Sequence, residues 1–129
     1  MYRIFIIALT FSSIALAEDY KWTDDCDKNQ STMNSCAADK FKFYDQRLNG
    51  VYAEQMKHLQ DGKHKSYLKD AQRAWVVFRD KDCTYVAGKR EDSGSIWALE
   101  HFLCLAERTK TRIYEIEKYV ACRENGCPY

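Results

Sequence analysis

The segment 71–83, AQRAWVVFRDKDC, combines charged and aromatic side chains more densely than the rest of the chain. Arginine and tryptophan dominate the energetics of protein interfaces, so Arg73, Arg79 and Asp80 are candidate binding residues. The alternative is a set of internal struts that pair with polar groups on neighbouring helices. We favour the struts, because Arg79 falls on the core-facing side of a helical wheel, where a charge must be paired and hydrogen-bonded.

Other residue patterns give little support for catalysis. Glu54 and His58 have the i, i+4 spacing of two metal ligands on a helix, but no third ligand is in register, and an exposed pair is the better interpretation. Asp80 and Asp82 point to different helix faces, so they do not form an acid pair. The chain contains no nucleophile elbow, P-loop or glycine-rich fingerprint. We therefore expect no enzyme activity, no cofactor and no metal.

Aromatic residues exceed what one helical seam can bury. Trp97 is a further candidate binding residue, because it lies off the apolar stripe of its helix, on the same side as Cys104. Either the N-terminal arm packs over it through Cys26, or it belongs to an exposed patch for a protein or glycan. The other aromatic residues in question are Tyr20, Trp22, Tyr67, Tyr85, Tyr114, Tyr119 and Tyr129.

Apolar residues recur at three- and four-residue steps along most of the chain, which predicts three long helices. The first follows a cap at Ser31 or Thr32 and stops at Asp61-Gly62, with a weak point at Asn49-Gly50. The second runs from Ser66 to Ala87 before Gly88, and the third from Ser95 to about Val120. In the second helix we expect a buried face formed by Leu68, Ala71, Trp75, Phe78 and Val86. Short connections make consecutive helices antiparallel, so the fold class is an all-α three-helix bundle.

Residues 1–17 have the features of a secretory signal peptide: an early Arg3, a short apolar core and Ala15-Leu16-Ala17 as a cleavage site. Residues 18–129 then form a single domain, which begins with a polar arm at residues 18–31 and has no membrane anchor. Removal of Arg3 leaves 19 basic residues against 19 acidic ones. A neutral domain lacks the basic excess that nucleic acids or anionic membranes require.

Six cysteines, all beyond residue 17, predict three disulfides and an oxidising compartment, either the periplasm or the extracellular space. If helix 2 ends beside the start of helix 1, Cys83 lies near Cys36. Cys104 projects away from the apolar stripe of helix 3, towards the arm that carries Cys26. Cys122 and Cys127 would close a local loop. Of fifteen pairings we favour Cys26–Cys104, Cys36–Cys83 and Cys122–Cys127.

The order of these residues resembles the LprI-type lysozyme-inhibitor domain of small exported bacterial proteins. The strongest match is Ala71–Trp75 followed by Phe78–Asp80 and Cys83. The other matching positions are Asp25-Cys26, Met33-Asn34, Cys36-Ala37, Asp45, Leu48-Asn49, Tyr52, Gly94-Ser95, Cys104-Leu105, Thr109 and Arg112.

The resemblance implies a helical, disulfide-linked domain with a protein partner and, for some members, inhibition of host lysozyme. Common animal lysozymes are basic, and Asp24, Asp25 and Asp27 could provide a complementary acidic patch. The alternatives are a periplasmic interaction or scaffold protein with an unrelated partner, and an enzyme that acts on the cell wall. The sequence gives no indication of the oligomeric state.

Overall fold

The structure, a computed structural model, describes residues 18–123. Three helices account for most of this part of the chain: α1 (Gln30–His58), α2 (Gly62–Ala87) and α3 (Trp97–Cys122). Two short 3₁₀ segments, Asp24–Asp27 and Arg90–Asp92, lie in the N-terminal arm and in the α2–α3 connection. Residues 18–123 contain no strand, and the predicted antiparallel three-helix bundle is confirmed. None of the described helices has the length and apolarity needed to cross a membrane.

The helices begin earlier or later than their predicted caps. Asn29, not Ser31 or Thr32, caps α1, by accepting a hydrogen bond from the Thr32 amide at 3.0 Å. Asp61, which was expected only to end helix 1, caps α2 by accepting from the Lys63 amide at 3.0 Å, so α2 begins before Ser66. Because the Asp61 carboxylate caps α2 so soon after α1 ends, the α1–α2 connection consists only of residues 59–61.

Two further boundaries involve glycine and serine. The predicted stop of α2 is confirmed, since the helix ends at Ala87 and Gly88 follows it. Gly88 has a φ of 73°, a conformation that is strained for residues with a side chain. Ser95 does not cap α3; the cap position is held by Ile96, without a side-chain hydrogen bond. The expected weak point at Asn49-Gly50 does not interrupt α1, which continues through both residues.

The core of the domain is the seam between α1 and α3. Polar contacts pair Asn34 with the Ser95 carbonyl, Lys40 with Glu107 and Arg47 with Glu117, so residue numbers rise together along the two helices and they run parallel. The buried cluster between them consists of Tyr44, Leu48, Ala106, Ile113 and Ile116. This seam is by far the largest helix–helix contact in the described chain.

Helix α2 runs antiparallel to both partners and packs mainly on α3. Its buried residues are Arg79, Cys83 and Ala87. The predicted buried face is therefore wrong in part: Leu68 and Trp75 are half-buried, whereas Ala71, Phe78 and Val86 are exposed. The helix is rotated because Cys83 and Arg79 must face its neighbours, and this turns part of its apolar surface outwards.

Two of the predicted disulfides are wrong. The structure contains Cys26–Cys36 and Cys83–Cys104 instead of Cys26–Cys104 and Cys36–Cys83. The short connection to α3 brings the end of α2 beside the first turns of α3, so Cys83 meets Cys104. The arm folds back onto the start of α1, only 10 residues away in sequence, and this leaves Cys26 opposite Cys36.

The third predicted bridge is untested. Cys122 is disulfide-bonded, but Cys127 lies outside the described residues, so Cys122–Cys127 stays a prediction. The predicted signal peptide, residues 1–17, also lies outside them.

Candidate protein-binding surfaces

Arg79 lies inside the bundle, with only 8% of its surface exposed. Its guanidinium donates to Asp80 at 2.9 Å, to Asp45 on α1 at 3.3 Å and to Thr109 on α3 at 3.4 Å. It also lies 5.2 Å from the ring centre of Phe41. One side chain thus connects all three helices, which is the arrangement expected of an internal strut, and its guanidinium has little surface left for a partner.

Trp75 lies between two arginines. The Arg79 guanidinium is 5.2 Å from its ring, and that of Arg112 on α3 is 5.9 Å away. Arg112 is also buried, and it donates to Gln72 at 3.0 Å and to Glu115 at 2.7 Å. Cation–π contacts and charge-assisted hydrogen bonds therefore attach α2 to α3 where aliphatic packing is sparse.

Arg73 and Asp80 point outwards, so their binding roles stay predictions. Arg73 is exposed on the rim of a cleft of about 480 Å³ between α1 and α2. Within residues 18–123 it forms no salt bridge. Asp80 bonds to Arg79, yet 55% of its side chain remains exposed, so its carboxylate can accept further bonds from outside.

Trp97 fixes the α2–α3 connection. Its indole donates to the Gly88 carbonyl at 3.0 Å, its ring stacks on His101 at 4.4 Å, and Arg90 lies 5.8 Å from its centre. The expectation that the N-terminal arm covers it through Cys26 is wrong, because the loop after α2 occupies that side. A binding role for the half-buried Trp97 stays a prediction.

The outer face of α2 is the aromatic surface that sequence reasoning missed. Tyr67, Phe78 and Tyr85 are 56%, 59% and 88% exposed, and Val77 beside them is also exposed. An excess of aromatic residues was expected to leave some exposed, but their position on α2 was not. The available signal was a second apolar stripe at helical spacing, which starts at Tyr67 and runs beside the stripe of Leu68 and Trp75.

The N-terminal arm, which ends at residue 29, forms an acidic surface. Its five carboxylates, against two lysines, are those of Glu18, Asp19, Asp24, Asp25 and Asp27. The Cys26–Cys36 disulfide fixes the 3₁₀ segment, and the Trp22 indole donates to Asp27 at 2.9 Å while Trp22 stays 36% exposed. The arm thus presents carboxylates and an aromatic ring in a fixed arrangement.

Asp19 attaches the beginning of the arm to the α1–α3 pair. Its carboxylate lies 2.9 Å from Lys110 and accepts from the Tyr44 hydroxyl at 3.2 Å. The hydrogen bond from Lys110 is the main cause that lowers the pKa of Asp19, and the same bond raises the pKa of Lys110.

One group of possible metal ligands occurs in the described chain: Asp82, Cys83 and Cys104. The two sulfurs form a disulfide and therefore provide no thiolate ligand. Asp82 is engaged by Arg108 at 2.6 Å. In the oxidised protein this group is a structural tie between α2 and α3.

The protein-family model described as "Lysozyme inhibitor LprI" matches residues 24–116. The chain belongs to this family. The matched segment of the chain spans the acidic 3₁₀ segment, α1, α2 and most of α3, and it includes both described disulfides. The resemblance seen in the sequence is therefore confirmed.

Two curated proteins are similar to the chain. One is an uncharacterized protein of Escherichia coli (strain K12), YecT, which is 25% identical over 118 residues, or 81% of this chain and 73% of YecT. The other is an uncharacterized protein of Rhizobium meliloti (strain 1021), R02472, which is 31% identical over 115 residues, or 78% of this chain and 82% of R02472. No solved structure gives a significant match.

Proposed function

We propose that this protein is an exported inhibitor of lysozyme or of a related cell-wall hydrolase, located in the periplasm or secreted. It binds the hydrolase by surface complementarity and performs no chemistry of its own. The observation that carries the proposal is the match of the lysozyme-inhibitor family to residues 24–116. Two disulfides within this small domain also suit an oxidising compartment.

The acidic arm is the surface that best suits such a partner. Common animal lysozymes are basic, and complementary charge accelerates association and selects the partner. Although the predicted mature chain is neutral, the arm carries five carboxylates against two lysines. The negative charge is therefore local, as a charge-selected contact requires.

The disulfide makes this surface more effective than a free acidic tail. A flexible tail loses conformational freedom on binding, whereas a segment held by Cys26–Cys36 has lost much of it already. Trp22, partly exposed beside Asp27, adds an aromatic group of the kind that anchors interfaces. We expect the carboxylates of Asp24, Asp25 and Asp27 to contact basic residues of the hydrolase, with Trp22 packed against its surface.

A cell-wall lysis assay tests the proposal. Oxidised protein, residues 18–129, is added at micromolar concentration to lysozymes of the c, g and i types, and clearing of a cell-wall suspension is followed. We expect inhibition of at least one type. The triple variant Asp24→Asn/Asp25→Asn/Asp27→Asn should weaken it at least tenfold, which corresponds to about 1.4 kcal/mol of binding free energy.

The matched control is Glu91→Gln/Asp92→Asn, which removes exposed carboxylates from the α2–α3 connection instead of the arm. It should leave inhibition unchanged. If no lysozyme type is inhibited, the inhibitor proposal is wrong and an interaction protein with another partner becomes the better hypothesis. Inhibition that is equally strong in the triple variant would retain the function but exclude the arm.

A further inference from the structure

The outer face of α2 carries a regular seam of its own. Its positions are separated by alternating steps of four and three residues: Tyr67, Ala71, Ala74, Phe78, Lys81 and Tyr85. On a helix with 3.6 residues per turn they share a stripe about 80° wide. All six are exposed. The stripe therefore runs along most of α2 on a side that neither α1 nor α3 covers.

This spacing is the one that packs one helix against another. Alternating steps of three and four keep a row of side chains facing a partner helix, as in coiled coils. Single exposed apolar residues are ordinary, but a row that continues along a helix marks an interaction surface. The partner that fits must present a helix with a matching row.

The seam is complementary to itself in the antiparallel direction. A two-fold axis at Val76 brings Tyr67 of one copy opposite Tyr85 of the other. It also brings Ala74 opposite Phe78 and Ala71 opposite Lys81, so that every phenylalanine or lysine meets a small alanine. A two-fold interface requires that if one residue contacts a second, the second contacts the first, and this pattern satisfies that condition.

The charges beside the seam have the same symmetry. In this register Asp70 lies within one residue of Lys81 of the second copy. This pair occurs twice, so two opposite-charge contacts would flank the aromatic row. In a parallel arrangement, by contrast, Lys81 would face Lys81 and the alanines would face each other.

We propose that α2 docks on α2 of a second copy of this chain, antiparallel, to form a two-fold symmetric dimer. The contact involves one helix per copy, so its total buried area is on the order of 1,000 Å², at the low end for specific interfaces. We therefore expect a concentration-dependent dimer that dissociates on dilution. This proposal is independent of the lysozyme proposal.

Sedimentation velocity of the oxidised protein tests the dimer over concentrations from about 1 µM to about 1 mM, a range that brackets micromolar affinity. We expect a monomer–dimer equilibrium. Phe78→Lys should abolish the dimer without changing the helical circular dichroism, because the side chain is exposed in the monomer. The control Tyr114→Lys, at an equally exposed aromatic residue on α3, should leave the equilibrium unchanged.

A charge exchange tests the register. Asp70→Lys alone and Lys81→Asp alone should each weaken the dimer at least tenfold, and the double variant should restore it. A protein that stays monomeric at every concentration would overturn the proposal and leave the face to a different partner. A dimer that survives Phe78→Lys would also overturn it, as would one that the double exchange does not restore.

Discussion

The α1–α3 seam and the α2 attachment hold helices together in different ways. Between α1 and α3 the contact consists of buried aliphatic and aromatic side chains such as Leu48 and Ile116. Helix α2 is attached by the Cys83–Cys104 disulfide and by the buried Arg79, with few apolar residues buried. Apolar packing requires that a helix commit its hydrophobic face to its neighbours, whereas covalent and ionic ties do not. The α2 attachment therefore leaves an aromatic face of α2 available.

The largest expected effect is on the free energy of unfolding, and it should differ between a substitution in the α1–α3 seam and one on the outer face of α2. Ile116→Ala removes a side chain with no exposed surface from the seam and should lower the free energy of unfolding by about 2–5 kcal/mol. Phe78→Ala on the outer face of α2 should change it by no more than about 0.5 kcal/mol, at concentrations where the protein is monomeric. Urea denaturation measures both. Equal losses would mean that Phe78 is packed in solution and that the contrast is wrong.

The contrast also explains what could be predicted from the sequence. In α3 the apolar residues form one stripe, so its length and its buried side were predictable. Helix α2 contains two apolar stripes, one with Leu68 and Trp75 and the other with Tyr67 and Phe78. Periodicity alone cannot show which of the two stripes is buried. The buried side of α2 is determined by its contacts with Cys104 and Arg112 of α3.

The disulfide pairing and the exposed face of α2 also could not be predicted from the sequence pattern. Six cysteines allow fifteen pairings, and a small error in how helix ends meet is enough to select a wrong one. Arg79 was correctly predicted to be an internal strut, because a charge beside a core stripe must be paired. The exposed seam was not predicted, because every helix had been assigned a single apolar face.

A second prediction concerns the covalent tie of α2. The double variant Cys83→Ala/Cys104→Ala opens a bridge between residues 21 positions apart and should cost about 2–4 kcal/mol. Because α2 buries little else, hydrogen exchange should accelerate mainly in α2, while α1 and α3 keep their protection. Hydrogen exchange with mass spectrometry locates the change.

Cys26→Ala/Cys36→Ala serves as the comparison, since it opens the bridge between the arm and α1. It should accelerate exchange in the arm and leave α2 protected. Uniform acceleration in all three helices of the Cys83/Cys104 variant would contradict the idea that α2 is a separately attached element.

The smallest expected effect concerns the arm, a second peripheral element, which Asp19 attaches to Lys110 of α3. Lys110 lowers the pKa of Asp19 in the folded protein, so the ionised carboxylate favours the docked arm above the unfolded pKa of Asp19. This contribution is lost as the pH falls through the lowered folded value. The raised pKa of Lys110 maintains the pair up to alkaline pH and releases it only above that raised value.

Fluorescence of Trp22, read as the difference from Trp22→Phe, should therefore be constant near neutral pH and change below the normal range of aspartate. Asp19→Asn should remove this acid transition while the disulfide keeps Cys26 on α1. An unchanged transition in Asp19→Asn would show that the Asp19–Lys110 pair is not its cause.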